Sequence, residues 1–335
     1  MIYSHEHMPG GVLKSIFFGG GTPSLMPPKV VEALINKASS LWPSKNMEIT
    51  LEANPNSMEA LKLADFKKAG INRLSMGIQS LRADALTFLG RRHSLNEAIQ
   101  ALHMAAKLFD RFSFDLIYAR PQQTLKEWSM ELTEALKYAR GHMSLYQLTI
   151  EEGTAFHRAH QRGDFVLPSE RKAAAFYEIT QDIMSSHHLP AYEISNHAIK
   201  GQESQHSLIY WRYGSFAAIG PGAHGRLQNQ AFKRLKAPET WMKAVFEKGH
   251  GTDTIDHLTV QQQFDECFMM GLRLNEGVSK ETLSAIDHDR LQRLLQSDVF
   301  KSLEKKFIVH TPQAITTTIQ GRLCLNTLIN MCLRE

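Results

Sequence analysis

The sequence predicts an α/β protein built on a parallel sheet. Three observations carry that prediction: short strand-like runs recur along the first half of the chain, helix-like stretches separate them, and polar residues stand where the runs end. The runs lie at 15–18, 48–52, 73–78, 112–118 and 145–150. Their starts are roughly 25 to 40 residues apart, which leaves room for one helical crossover each. Alternation of this kind is the pattern of parallel strands covered by helices.

The first run, Ile16-Phe17-Phe18, leads into Gly19-Gly20-Gly21 and then Thr22-Pro23. Without Cβ atoms these glycines let the chain turn sharply and let a ligand lie directly against amide N–H groups. Pro27-Pro28 suits the first turn of a helix over 28–41, whose Val30, Val31, Leu34 and Ile35 share a face. A second helix is expected over 58–69, carrying Leu61, Ala64 and Phe66. Helices over 95–109 and 125–139 open on Ser94-x-x-Glu97 and Thr124-x-x-Glu127, two capping boxes.

In sheets of this type ligands sit at the carboxyl ends of the strands. The sequence places there the three glycines, Glu52, Gln79, Asp115 and the stretch from Gln147 to Glu152. A carboxylate, an amide and a bare backbone facing one mouth suit an amino-acid-plus-ribose ligand better than a phosphate. The glycines are followed by neither Gly-Lys-Ser/Thr nor the G-x-G-x-x-G spacing of the phosphate loops. Arg91-Arg92-His93 reads either as a solvated basic turn or as a cation reaching a ligand carboxylate.

At 335 residues the chain can bury a large core and is expected to hold more than one domain. Its 43% hydrophobic and 21% charged residues are those of an ordinary globular protein, and a net charge of +4 without a dense basic block gives no reason to propose nucleic acid. No apolar run approaches the roughly 18 residues of a membrane span, and the first residues lack the apolar core of a secretion signal. Cys267, Cys324 and Cys332 form no C-x-x-C pair, which suits a reducing cytoplasm. Among the scattered histidines, His5/His7 and His187-His188 come nearest to clusters and are read as solvated loop residues.

Beyond Glu152 the character changes. A polar loop to 168 precedes a helix over 169–187, a strand-like stretch over 190–197, the segment His206-Ser207-Leu208-Ile209-Tyr210-Trp211, and Gly220-x-Gly222-Ala223-His224-Gly225. His206 and His224 stand out because aromatic residues or glycines surround them. From about 237 the chain is helical, and it closes with a Val/Ile/Thr hairpin over 307–319 and a helix over 321–333, much like a small winged-helix module.

Taken in order, G-G-G-T-P-S-L, L-E-A-N-P, N-R-L-S-M-G-I-Q-S, L-G-R-R-H, F-D-L-I-Y-x-x-P-Q-Q-T, L-Y-Q-L-T-I-E, Y-E-I-S-N-H-A, H-x-x-x-Y-W and G-x-G-A-H-G resemble the oxygen-independent coproporphyrinogen oxidase-like radical SAM family, in its HemW-type branch. The resemblance runs from Ser15 to the C-terminus. It implies a partial (β/α)6 barrel lacking its first strand over 1–165, a connecting HemN-type segment over 166–236, and a winged-helix-like α+β domain over 237–335. It also implies S-adenosylmethionine at the strand ends, with Gly20, Gly21 and Thr22 against the methionine end, Glu52 in the same region, and Gln79, Arg91 and Asp115 on the rest of the ligand. His206, Tyr210 and Trp211 stand in the motif tied to haem in that branch.

Three departures matter. The family's C-x-x-x-C-x-x-C loop, whose thiolates hold a [4Fe–4S] cluster, is absent, so no metal ligand and no catalytic residue is assigned in this chain. Ala119-Arg120 stands where the family has Gly-Leu, and Ser207 where it has Asn. The expectation is a start codon placed too late in a gene whose full product carries the cluster; a clusterless relative is the alternative. The function the resemblance implies is a haem chaperone that passes haem to a haem-requiring protein in the cytoplasm. The alternatives are an oxygen-independent coproporphyrinogen III oxidase and an inert paralogue.

Overall fold

A computed structural model describes residues 1–56 and 61–334. The chain forms two compact units, one of Ser15–Ala33 with Glu48–Glu203, the other of Met1–Lys14, Leu34–Met47 and Ser204–Glu335. Among the described residues no helix is long and apolar enough to cross a membrane.

The first unit holds a six-stranded sheet in sequential order: β1 (Ser15–Phe18), β2 (Glu48–Ala53), β3 (Arg73–Gln79), β4 (Arg111–Tyr118), β5 (His142–Gln147) and β6 (Asn196–Ala198). The first five strands run parallel, as the spacing predicts, and β6 returns antiparallel to β5. After α1 (Ile2–Glu6) of the other unit, its helices include the start of α2 (Pro28–Leu41), whose residues from Leu34 on belong to the other unit, α3 (Leu63–Lys68), α4 (Ala83–Phe88), α5 (Leu95–Leu108), α6 (Leu125–Ala135), α7 (Ala155–Gln161) and α8 (Glu170–Ser186). Both expected capping boxes form, at Ser94/Glu97 and Thr124/Glu127. The start of the helix expected over 58–69 lies at 58–60, outside the described residues; its later part is α3.

Strand alternation gives the sheet two chemically different faces. Ile49, Leu51, Leu74, Met76, Phe112, Phe114, Leu116, Met143 and Leu145 are buried on one face. On that side Tyr118 stacks on Trp128 of α6 at 5.1 Å and meets Phe176 of α8 at 6.2 Å. The other face is polar, and the register sets it in rows: Thr50–Arg73–Arg111, Glu52–Ser75–Ser113 and Asp115–Ser144–Asn196. At its amino end the Glu48 side chain, fully buried, faces Arg111 at 2.9 Å and Arg73 at 3.9 Å. Ser113 Oγ bonds His142 Nδ1 at 2.7 Å, and His142 Nε2 bonds the Tyr192 hydroxyl at 2.9 Å.

Two strands differ from expectation. β5 occupies 142–147 rather than 145–150: it starts directly after Gly141, and its pairing with β4 closes with the Leu148 N–H donating to the Tyr118 carbonyl. Only the end of the run over 190–197 joins the sheet. Tyr192 donates to the Asn196 carbonyl and Glu193 accepts from the Ser195 N–H, which folds 190–196 into a tight turn.

In the second unit α1 (Ile2–Glu6) replaces the expected loop. Tyr3 meets His7 at 4.4 Å and His250 at 4.3 Å, and His5 meets Trp42 edge-on at 5.4 Å, so His5 and His7 are ring-packed rather than solvated. Helix α9 (Gln205–Trp211) is followed by a three-stranded antiparallel meander, β7 (His224–Leu227), β8 (Gln230–Arg234) and β9 (Thr252–His257), with α10 (Pro238–Lys248) between the last two. No signal in the sequence anticipates this meander. Its first turn is Gln228-Asn229, with Gln228 left-handed at φ +54°, and lacks the Asn-Gly signature of such hairpins.

The C-terminal part has the winged-helix-like make-up expected: α11 (Val260–Gly271), α12 (Lys280–Gln296), α13 (Asp298–Leu303), α14 (Ile319–Leu323) and α15 (Leu325–Leu333), with β10 (Val278–Ser279), β11 (Ile308–His310) and β12 (Ala314–Thr317) in a three-stranded sheet. Within the stretch read as helical, α12 bends at Asp287, whose backbone leaves the helical region, and the separate α13 follows.

His197 faces away from the polar side of the sheet and is 1% exposed. The Ser195 backbone nearby favours its charged form slightly, yet neither ring nitrogen has a properly aligned hydrogen-bond partner. Burial depresses it to about 4 and holds His142 well below the ordinary histidine range. Both stay neutral in the fold, while the unfolded chain takes up their protons near pH 6.5, so their effect is nil above that pH and stability falls as pH drops toward 4. His197→Phe is expected to raise stability by about 1–2 kcal/mol at pH 5 and to flatten the acid limb, read from urea unfolding at pH 8 and pH 5.

Candidate ligand-binding site

The site is built at the carboxyl ends of the parallel strands. Because β1 and β2 pair in register from Ser15↔Glu48 to Phe18↔Leu51, the residues that follow, Gly19 and Glu52, come side by side. The Gly20 N–H donates to Glu52 Oε2 at 3.2 Å. Gly20 and Gly21 are both left-handed, at φ +77° and +60°, and a Cβ on either would project into open space. Side chains disfavour that conformation, so the glycines hold a bare, amide-lined rim beside a carboxylate. Thr22 follows, extended, and its carbonyl accepts from the Leu25 N–H of a single 3-10 turn, Pro23–Leu25.

The ends of β2 and β3 meet through Arg91. Its Nη2 donates to Asn54 Oδ1 at 2.9 Å and to the Gly77 carbonyl at 3.0 Å, and a Cβ at Gly77 would stand 3.3 Å from the same nitrogen. Arg91 Nε is buried and unpartnered. Of the two readings of this arginine, the solvated turn is ruled out. It bridges strand ends and keeps one donor free.

Gln79 closes β3 in a strained way. It is left-handed at φ +65°, the β3–β4 register slips between Met76 and Gln79, and the Ser80 N–H returns to the Ile78 carbonyl at 2.9 Å. A three-residue turn with positive φ at its centre is rare and costs energy. The Gln79 N–H donates to Asp115 Oδ1 at 3.0 Å. Burial pushes the Asp115 carboxyl up to about 6, against the opposing pull of the Gln79 N–H and of Arg91. His93, buried behind this turn, bonds the Ile78 carbonyl at 3.2 Å, and burial lowers its proton affinity.

Gly20, Gly21, Thr22, Glu52, Gln79, Arg91 and Asp115 thus all lie at one end of one sheet. Sequence reasoning missed Asn54 and Gly77, which hold Arg91; Asn54 lies in the L-E-A-N-P motif, so its position at a strand end could have flagged it. Arg120, which with Ala119 stands where the family has Gly-Leu, has its guanidinium tucked in: it is 7% exposed and pairs with Glu131 at 2.7 Å. The unusual backbone sits one residue earlier, at Ala119, φ +57°.

The second group of expected residues lies on α9, in the other unit. Ser204 caps the helix by accepting from the Ser207 N–H, and the Ser207 hydroxyl bonds Ser204 Oγ at 3.0 Å. His206 and Tyr210, one turn apart, join through Nε2 and the hydroxyl at 2.8 Å, and Tyr210 packs on Phe216 at 4.3 Å. Trp211 points elsewhere; its ring lies under Arg273 at 5.2 Å, and its Nε1 is buried without a partner. His224 is exposed at the start of β7.

Bare amides, a free arginine donor and a desolvated carboxyl fit the polar ends of S-adenosylmethionine. Residues for an iron–sulfur cluster do not fit among those described: no three His, Cys, Asp or Glu side chains group to hold a metal ion, and two of the three thiols are buried.

Comparison with known proteins identifies the family and the fold. Residues 6–134 match the radical SAM superfamily. "Radical S-adenosyl methionine domain-containing protein 1, mitochondrial" of Danio rerio is 34% identical over 341 residues, covering 96% of this chain and 76% of that one. "Heme chaperone HemW" of Bacillus subtilis is 34% identical over 327 residues, covering 96% and 86%. The structure of coproporphyrinogen III oxidase (HemN) from Escherichia coli, a radical SAM enzyme, superposes with a TM-score of 0.77 at 18% identity, over 96% of this chain and 77% of that one. That likeness is one of fold.

Asp115 gives a measurable signature. Its raised pKa means the native state gains a proton between about 6 and 3.8, which adds stability as pH falls and offsets one of the two buried histidines. Asp115→Asn is expected to steepen the acid loss of stability by up to roughly 1.4 kcal/mol per pH unit in that window, read from urea unfolding across pH 6 to 4.

Proposed function

Because the chain belongs to the HemW-type family of radical SAM proteins, we propose that it binds S-adenosylmethionine at the strand ends and haem through α9, and that it hands haem to a haem-requiring protein. The observation that carries this reading is the identity to the HemW protein of Bacillus subtilis along nearly the whole chain. The geometry supplies the division of labour.

Glu52, which already accepts from the Gly20 N–H, presents its carboxylate beside the Gly21 backbone, the complement of the ammonium and carboxylate of an amino acid. Thr22 closes that rim. Arg91 Nε and the Asp115 carboxyl offer a donor and an acceptor to the remainder of the ligand, and Gln79 is held by the same carboxyl. At Arg91 Nε and Asp115 burial raises the worth of such a contact because water competes less. S-adenosylmethionine supplies a sulfonium group to radical chemistry when an iron–sulfur cluster reduces it; the residues described here bind and orient it. For haem, His206 is the nitrogen donor on α9, and its Nε2 is engaged by the Tyr210 hydroxyl. Ligation through Nε2 would require Tyr210 to release it, whereas ligation through Nδ1 would leave that bond in place.

Two titrations test the two halves separately. Gly21→Ala places a methyl group into the open rim and strains a left-handed backbone, so S-adenosylmethionine affinity is expected to fall at least tenfold by calorimetry, with haem binding unchanged. His206→Ala is expected to weaken haem binding at least tenfold, read from the Soret band, with S-adenosylmethionine binding unchanged. A wild-type chain that leaves the haem spectrum unaltered sinks the haem half of the reading.

A further inference from the structure

The strained turn at Gln79 needs something to hold it, and the structure shows what does. Backbone strain of this kind persists only where surrounding contacts over-determine it. Glu131, in the middle of α6 and 1% exposed, accepts from both the Ser80 hydroxyl and the Leu81 N–H (2.8 Å) with Oε1, the two groups directly after Gln79. Its other oxygen, Oε2, accepts from Arg120 Nη2 at 2.7 Å. Arg120 stands in the turn after β4, five residues beyond Asp115, and its Nη1 also donates to the Ile117 carbonyl at 2.8 Å and to Ser80 Oγ at 3.3 Å. One buried carboxylate therefore ties together the turns that follow β3 and β4. Three residues on, Glu134 binds Arg82 at 2.8 Å in a half-exposed copy of the same link.

Buried ion pairs contribute little net stability, since desolvation offsets their attraction, and apolar replacements are often neutral. What this pair does possess is geometry: it spans two strand-end turns whose Gln79 and Asp115 already bond each other. Resting on the reading of that end as the S-adenosylmethionine site, we propose that Glu131 is a positioning residue, whose carboxylate, paired with Arg120, sets the placement of Gln79 and Asp115 and through them the affinity for S-adenosylmethionine.

The test compares the full chain with Glu131→Gln, the double variant Arg120→Met with Glu131→Met, and Ser80→Ala. Calorimetric titration with S-adenosylmethionine is read beside thermal unfolding and amide hydrogen exchange. The double variant is expected to unfold within a few degrees of wild type yet bind S-adenosylmethionine at least tenfold more weakly; binding within twofold of wild type overturns the proposal. If the double variant does not fold, Ser80→Ala decides: it removes one donor to Glu131 and is expected to weaken binding about three- to fivefold, and unchanged binding overturns the proposal. In the ligand-free chain, Glu131→Gln is expected to speed exchange at Gln79 and Leu81 at least tenfold relative to the core amide of Phe114. An unaltered ratio overturns the latch. A wild-type chain that does not bind S-adenosylmethionine sinks the site reading instead, because the exchange experiment reports on the latch without any ligand.

Discussion

The polar face of the sheet is the constraint on which the first unit depends. A parallel sheet covered by helices on one side buries that side with Leu, Phe and Met, and here the opposite side carries Glu, Arg, Ser, His, Asp and Asn at alternate positions. A buried polar group without a partner costs more than a made bond contributes, so each of these side chains demands a neighbour. Glu48 takes two guanidinium groups, Ser113 and Tyr192 take the two nitrogens of His142, and Ser144 takes Asn196 at 2.6 Å. The short antiparallel β6 makes sense in these terms. It extends the ladder by three residues and delivers Asn196 to Ser144.

Partnering thins out toward the carboxyl end, where ligand chemistry becomes available. Arg91 retains an unbonded Nε, the glycine rim has open space on its Cβ side, and Asp115 holds a carboxyl whose charge burial discourages. Strain gathers at the same end, in Gln79 and Ala119, both left-handed without being glycine. A site that is incompletely satisfied and locally strained is less stable than the floor beneath it, and its shape depends on what clamps it from behind. Glu131 and Arg120 lie in that position.

Much of this was legible in the sequence, for identifiable reasons. Strand and crossover follow from periodicity, so five parallel strands could be read from apolar runs and their spacing. Helix starts at Ser94 and Thr124 follow from local hydrogen bonding, and both boxes form. Gly20, Gly21, Glu52, Gln79 and Asp115 could be placed at strand ends because they close apolar runs, whereas Thr22 and Arg91 were assigned only by the family resemblance. The meander over 224–257 was not legible: its strands are short, its turn lacks glycine, and its pairing is decided by neighbours distant in sequence. His5 and His7 were misjudged for the same reason, since only the fold brings Trp42 and His250 to them.

By itself the sequence determined the α/β class, the order of strands and helices, and the end of the sheet at which polar residues gather. These depend on periods of two and 3.6 residues and on turn chemistry, which act over a few neighbours. Tertiary structure alone decided which polar groups are spent and which remain free. Arg120, in the turn after β4, and Arg91, in the loop between α4 and α5, look alike as isolated loop cations, yet Arg120 is consumed by Glu131 while Arg91 keeps a donor. The proton affinity of Asp115 was likewise settled by burial, a property of the packed chain that no local pattern encodes.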